Sequence, residues 1–140
     1  MQVPKILVVD DEPDMVEAIE VCLVHEGYEV LTAQNGLEGL EAAQSQDPDL
    51  VVLDVMMPGE NGYRVARSIR ENEESRPRPR RVPIILLTAR DLSSDPEREQ
   101  MFMDFTQADL MMYKPFDMDE LLTRIRELLE PEKGVSAERP

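Results

Sequence analysis

Five short apolar runs, each followed by a stretch with helical spacing, constrain this chain more than any other feature. The runs are residues 5–9 (KILVV), 28–33, 50–53 (LVVL), 82–87 (VPIILL) and 110–113. After the first, Val16, Ile19 and Leu23 recur at helical intervals from Pro13, which pre-sets a first turn, to His25 and the closing Gly27. Leu37, Leu40 and Ala43 mark a second helix, Val65, Ala66 and Ile69 a third, and residues 95–105 a fourth with a ragged stripe. Leu121, Leu122, Ile125, Leu128 and Leu129 stripe a fifth, which Pro131 ends. Strand and helix in alternation predict an α/β fold with a parallel sheet covered on both faces. Right-handed crossovers then bring the carboxyl ends of all the strands to one rim.

A chain of 140 residues, 41% hydrophobic, has the size and composition of one globular domain. No apolar run approaches the ~20 residues of a membrane span, and the N-terminus lacks a signal-peptide pattern, so the cytoplasm is the expected compartment. Cys22 has no partner for an internal disulfide and reads as a core residue. Thirty acidic against 15 basic side chains give a net charge of −15, which disfavours nucleic acid and anionic membranes and suits a cation or a protein partner. Residues 71–81 (ENEESRPRPRR), with Pro77 and Pro79 among arginines, read as an extended, solvated connector.

The rim carries the chemistry. Asp10 and Asp11 (with Glu12 in the same knot of acids), Asp54, Thr88 and Lys114 each stand at a strand end. Like-charged carboxylates ~4 Å apart repel by about 4 kcal/mol at an effective dielectric of ~20. Lys114 offsets part of this, and a divalent cation would offset more. An all-oxygen site with neither His nor Cys points to Mg2+ or Mn2+ over zinc. His25, in the last turn of a helix, suits the dipole there. A carboxylate beside such a cation, an ammonium and a hydroxyl is equipment for phosphoryl transfer onto Asp54.

The motifs VVDDEP, LDVMMPGENG, LLTAR and YKPF around these residues resemble those of the response-regulator receiver domain of two-component signalling. The likeness runs from about Lys5 to Leu129, making residues 1–130 the receiver and 131–140 a C-terminal tail or the start of a linker. It implies a flavodoxin-like, doubly wound sheet of five parallel strands, order 2-1-3-4-5, with five helices. It also implies that Asp54 is the phosphoacceptor. Asp11 would ligate Mg2+ directly, Asp10 directly or through water, and Asp54 and the Met56 carbonyl would complete the protein ligands. Thr88, the Ala89 N–H and Lys114 would hold phosphoryl oxygens, with Met56 beside them. The donor would be a phosphohistidine on a sensor histidine kinase or phosphotransfer protein. Catalysis would be limited to self-phosphorylation and autodephosphorylation. The face of the fourth helix, fifth strand and fifth helix, where Met101, Met103, Met111, Met112 and Met118 crowd, would carry dimerisation or a downstream protein.

Three departures stand out. Gln107 occupies a place where Gly is common. Met111 replaces the aromatic switch residue three before the Lys, leaving Met111 itself or Tyr113, on the same side of the strand, as the switch beside Thr88. The arginine–proline connector is unusually long. Two rival readings exist: a binding module of this fold that ignores phosphate, and a Mg2+-dependent phosphohydrolase. The second would want an acid–base Asp where Met56 stands.

Overall fold

The central strand is buried at every position: β3 (Leu50–Asp54) carries LVVLD with no exposed residue. It belongs to a computed structural model that describes residues 3–76 and 80–130. Around it run β1 (Lys5–Val9), β2 (Glu29–Ala33), β4 (Ile84–Thr88) and β5 (Leu110–Tyr113), all parallel, in the order β2-β1-β3-β4-β5. The helices are α1 (Pro13–His25), α2 (Gly36–Ser45), α3 (Gly62–Glu74), α4 (Pro96–Thr106) and α5 (Met118–Leu129).

Alternation along the strands sorts the core into two layers. Leu7, Val9, Val51, Leu53, Ile84 and Leu86 pack with α2, α3 and α4 residues. Ile6, Val8, Leu50, Val52, Ile85 and Leu87 pack with Ile19 and Leu23 of α1 and Leu121 and Ile125 of α5. Full burial of each such side chain contributes about 1.5–3 kcal/mol, so both faces of the sheet favour the same register. Local signals agree with the layers. Gly27 takes the left-handed conformation (φ 96°) just after α1, and Asn35, Asp95 and Asp117 cap α2, α4 and α5 with their side chains.

Four expectations need correction. Residues 71–74 complete α3 instead of entering a connector, because the Glu73 carboxylate is buried against Arg70 at 3.0 Å and accepts from Val82 N at 2.7 Å. The arginines that follow are paired: Arg76 and Arg80 with Asp47, Arg80 also with Asp49, and Arg81 with Asp109. Leu37 is 66% exposed; α2 faces inward through Gly36, Gly39 and Ala43, and Gly39 lies so close to Val9 that a Cβ would meet it at 2.8 Å. Cys22 is half-buried at the margin of α1 and not in its core stripe. Of the methionines, Met112 is buried, Met103, Met111 and Met118 are partly buried against the core, and Met101 is exposed. Pro77, Pro79 and the expected tail at 131–140 lie outside the described residues.

The place of Gln107 has a physical account. It adopts a left-handed conformation (φ 57°) that ends α4, a conformation favoured by glycine. Its Nε2 donates to the Asp104 carbonyl at 2.7 Å, and its own carbonyl accepts from Arg70 Nε at 2.9 Å and Arg81 Nη2 at 3.0 Å. These bonds offset the backbone cost of about 1–2 kcal/mol.

Candidate functional site

Three strand ends deliver the charged centre. Asp10 directly follows β1 and is wholly buried, Asp54 closes β3, and Lys114 follows β5. Lys114 Nζ lies 3.1 Å from Asp10 Oδ2, 3.2 Å from Glu12 Oε1 and 3.4 Å from Asp54 Oδ2. The remaining oxygens are fixed by backbone: Asp10 Oδ1 accepts from Glu12 N at 3.0 Å, and Asp54 Oδ1 from Met56 N at 2.9 Å. Two carboxylates are thereby oriented before any ligand arrives.

The electrostatics match this crowding. Burial, joined by the Asp54 charge, raises the Asp10 pKa even against the hydrogen bonds from Glu12 and Lys114. For Lys114, burial works to lower the pKa, but the hydrogen bond to Asp10 and the charges of Asp54 and Asp10 outweigh it and hold the ammonium above its ordinary value. The Asp10 shift thus expresses burial first, and the Lys114 shift expresses the acids gathered around it.

The carboxylates of Asp10, Glu12 and Asp54 have oxygens within 4.8 Å of one another, close enough to share one metal ion. With the Lys114 ammonium they sum to −2, the charge a divalent cation neutralises. All the donors are oxygens, which fits Mg2+ or Mn2+. Glu12 therefore joins the group that sequence reasoning assigned to Asp10, Asp11 and Asp54; the signal available was its place in the same run of acids before Pro13. Asp11 is half-buried, stands outside the converging set, and its side chain makes no hydrogen bond among the described residues.

Thr88 ends β4, one residue beyond Leu87, the register partner of Asp54, and is completely buried. Its Oγ1 accepts from Arg90 N at 3.0 Å, while Ala89 and Arg90 are exposed. Its register partner on β5 is Tyr113, whose hydroxyl donates to Glu99 of α4. Burial and that carboxylate push the Tyr113 phenol well above its usual range. Met111, two residues earlier, packs on the α2–α3–α4 layer.

Between the site and α4 stands Tyr63, which sequence reasoning passed over. Its neighbour Gly62 is obligatory, since a Cβ there would lie 2.3 Å from Val55 Cα. The Tyr63 ring stacks on Phe102 of α4, with centroids 4.0 Å apart and planes 6° from parallel. Tyr63 is only 9% exposed, yet its hydroxyl has no hydrogen-bond partner among the described residues. Burial raises its phenol above the usual range, while the facing Thr88 hydroxyl and Arg90 guanidinium offset part of that. Thr88 and Arg90 are thus the polar neighbours of the Tyr63 hydroxyl, and among the described residues it makes a well-formed hydrogen bond to neither. An unmade buried hydrogen bond costs about 1–3 kcal/mol.

A doubly wound sheet with three acids, a hydroxyl and an ammonium at its carboxyl rim defines the class of receiver domains. The chain belongs to the response regulator receiver domain family, whose model matches residues 6–126. It is 41% identical over 133 residues to the response regulator ArlR of Staphylococcus saprophyticus and 38% identical over the same length to that of Staphylococcus aureus. It covers 94% of itself in both matches but 56% of each relative, so the chain spans about half the length of the curated relatives it matches. Among solved structures it resembles a CheY-like receiver domain protein from Methanospirillum hungatei (TM-score 0.81, 23% identity, 95% and 98% of the two chains), which speaks to the fold. It also resembles the response regulator TrrA of Thermotoga maritima, described in complex with Mg2+–BeF (TM-score 0.73, 39% identity, 90% and 99% covered). Among the described residues no helix is long and apolar enough to cross a membrane.

Proposed function

We propose that this receiver takes a phosphoryl group onto Asp54 from a phosphohistidine of a sensor histidine kinase or phosphotransfer protein, in a Mg2+-dependent reaction in the cytoplasm. The observation that carries the reading is the single ammonium of Lys114 set among Asp10, Glu12 and Asp54 at 3.1–3.4 Å. That arrangement leaves an unneutralised double negative charge beside a carboxylate already oriented by Met56 N.

In the step, an Asp54 oxygen attacks phosphorus as the P–N bond to imidazole breaks, and the electron pair stays on that nitrogen, so a ring already protonated on its other nitrogen leaves as neutral imidazole. Lys114 and the Ala89 N–H pair with oxygens of the moving group, and Thr88 donates its hydroxyl proton to one of them. Asp10, Asp11, Asp54 and the Met56 carbonyl would hold Mg2+, which when bound supplies charge neutralisation at the phosphoryl oxygens. The Mg2+–BeF complex of TrrA supports this choice of ion. Its catalysis is self-phosphorylation and autodephosphorylation; against steady phosphohydrolase turnover stands Met56, which offers no group to move a proton. Phosphorylation then biases the surface of α4, β5 and α5, where a second copy or a downstream protein binds.

Incubation with acetyl phosphate and Mg2+, read by intact mass, tests the reading. Wild type should gain one phosphoryl adduct and Asp54→Ala none. An adduct that survives the substitution overturns the assignment.

A further inference from the structure

We propose that Tyr63 is a positioning residue for the phosphoryl site: its unpartnered hydroxyl donates to Thr88 Oγ1 once Thr88 has turned its own proton to an anion on Asp54. The inference rests on the reading of Asp54 given above.

Three observations converge on it. The Tyr63 hydroxyl is nine-tenths buried and bonds to nothing, although a buried phenol normally finds a partner. Thr88 points to the same layer of the sheet as Leu86, by strand alternation, and Tyr63 packs in that layer with Leu86. Thr88 Oγ1 uses one lone pair for Arg90 N, so it retains one lone pair and one proton. The proton serves an anion on Asp54, and the remaining lone pair is then the acceptor the Tyr63 hydroxyl lacks. With both bonds made, Thr88 is held from behind while it donates forward.

The movement has somewhere to go. The Tyr63 ring lies flat on Phe102, so a shift of the hydroxyl toward Thr88 carries the stack with it. In α4 only Thr106 is fully buried, which makes this helix the one in the structure with least core holding it in place. Tyr63 therefore fills, from α3, the coupling role that Met111 on β5 has no polar atom to perform.

The test compares wild type with Tyr63→Phe, using beryllofluoride with Mg2+ as the probe. Affinity is measured by calorimetry, Phe102 ring shifts by NMR and unfolding by urea. The expected result is beryllofluoride affinity about fivefold weaker in Tyr63→Phe, the worth of one buried hydrogen bond. Stability of the ligand-free protein should be unchanged or higher, since an orphan hydroxyl has gone. Phe102 should move on binding in wild type and much less in the variant. Equal affinity and equal Phe102 shifts in the two proteins overturn the proposal and leave the Asp54 reading standing. Loss of stability in the ligand-free variant, matching the loss of affinity, overturns it in favour of a structural role. Failure of wild type to bind the probe refutes the Asp54 reading itself, and with it this one.

Discussion

The ammonium of Lys114 lies 3.1 Å from Oδ2 of Asp10, a residue 104 positions earlier in the chain. One ion pair thus ties the end of the first strand to the end of the fifth, across the strand that carries Asp54. Lys114 Nζ is also the described cation that competes with any metal for these carboxylates. Lys114→Ala should therefore bind Mg2+ about tenfold more tightly, about 1.4 kcal/mol, a fraction of the Coulomb energy of a charge ~4 Å away. The same variant should be phosphorylated more slowly. Mg2+ titration by calorimetry checks the first outcome and adduct formation the second.

Alkaline pH should weaken the metal-free fold through the same residue. The folded pKa of Lys114 stands above the ordinary 10.5, so the folded state holds this proton more tightly than the unfolded chain does. That stabilisation is complete below pH 10.5 and is lost as pH rises through the folded value. The three tyrosines act in the same sense: Tyr28 and Tyr63, through burial, and Tyr113, through burial and Glu99, all stand above the ordinary 10.0. Phenolate absorbance of the folded chain should begin at higher pH than in the urea-unfolded chain. Coincident titration curves would contradict this.

Asp11 and Glu12 should separate in a metal titration. Glu12 is engaged by Lys114 at 3.2 Å and is solvent-exposed, whereas the Asp11 side chain has no bond to break before it turns inward. Asp11→Asn should lower Mg2+ affinity about tenfold, and Glu12→Gln should change it by less than about threefold, as expected for removal of one direct carboxylate ligand against an exposed, screened charge. A reversed order would make Glu12 the ligand.

The buried pair of Arg70 and Glu73 should dominate stability away from the site. Arg70 reaches Glu73 at 3.0 Å, Asp109 at 3.2 Å, the Val82 carbonyl at 2.6 Å and the Gln107 carbonyl at 2.9 Å. Arg70→Met leaves the buried Glu73 carboxylate without its cation, while Asp109 keeps Arg81, and should cost about 3–5 kcal/mol in urea unfolding, the usual cost of breaking a buried pair from one side. Phosphorylation of the folded fraction should be unaffected, because this network sits at the opposite rim.

The sheet was legible because its strands are apolar runs with no competing reading, and the alternation of strand and helix left a parallel arrangement as the expected one. Asp10, Asp54, Thr88 and Lys114 were legible for the same reason: each terminates such a run. The arginine connector was not. Arginine beside proline has the same composition whether the guanidinium is solvated or paired, and the acidic partners of Arg76, Arg80 and Arg81 lie 28–33 residues away. On α2, Leu40 and Ala43 do pack on the core, and only Leu37 was misplaced, because the inward Gly36 and Gly39 carry no side chain to mark that face. Tyr63 was invisible because a lone aromatic after a glycine signals core packing, and an unmet hydroxyl has no sequence signature.

The arginines gather at one rim of the sheet, the one opposite the acids. Asp49 precedes β3 and also receives the Lys5 backbone N–H, Asp109 precedes β5, and Val82 leads into β4, and arginines from the α3 end and its connector fasten all three places. The lower ends of four strands are thus laced to one stretch of chain. At the opposite rim Lys114 gathers Asp10, Glu12 and Asp54, so a phosphoryl group on Asp54 should disturb that single cluster and leave the arginine-laced ends in place.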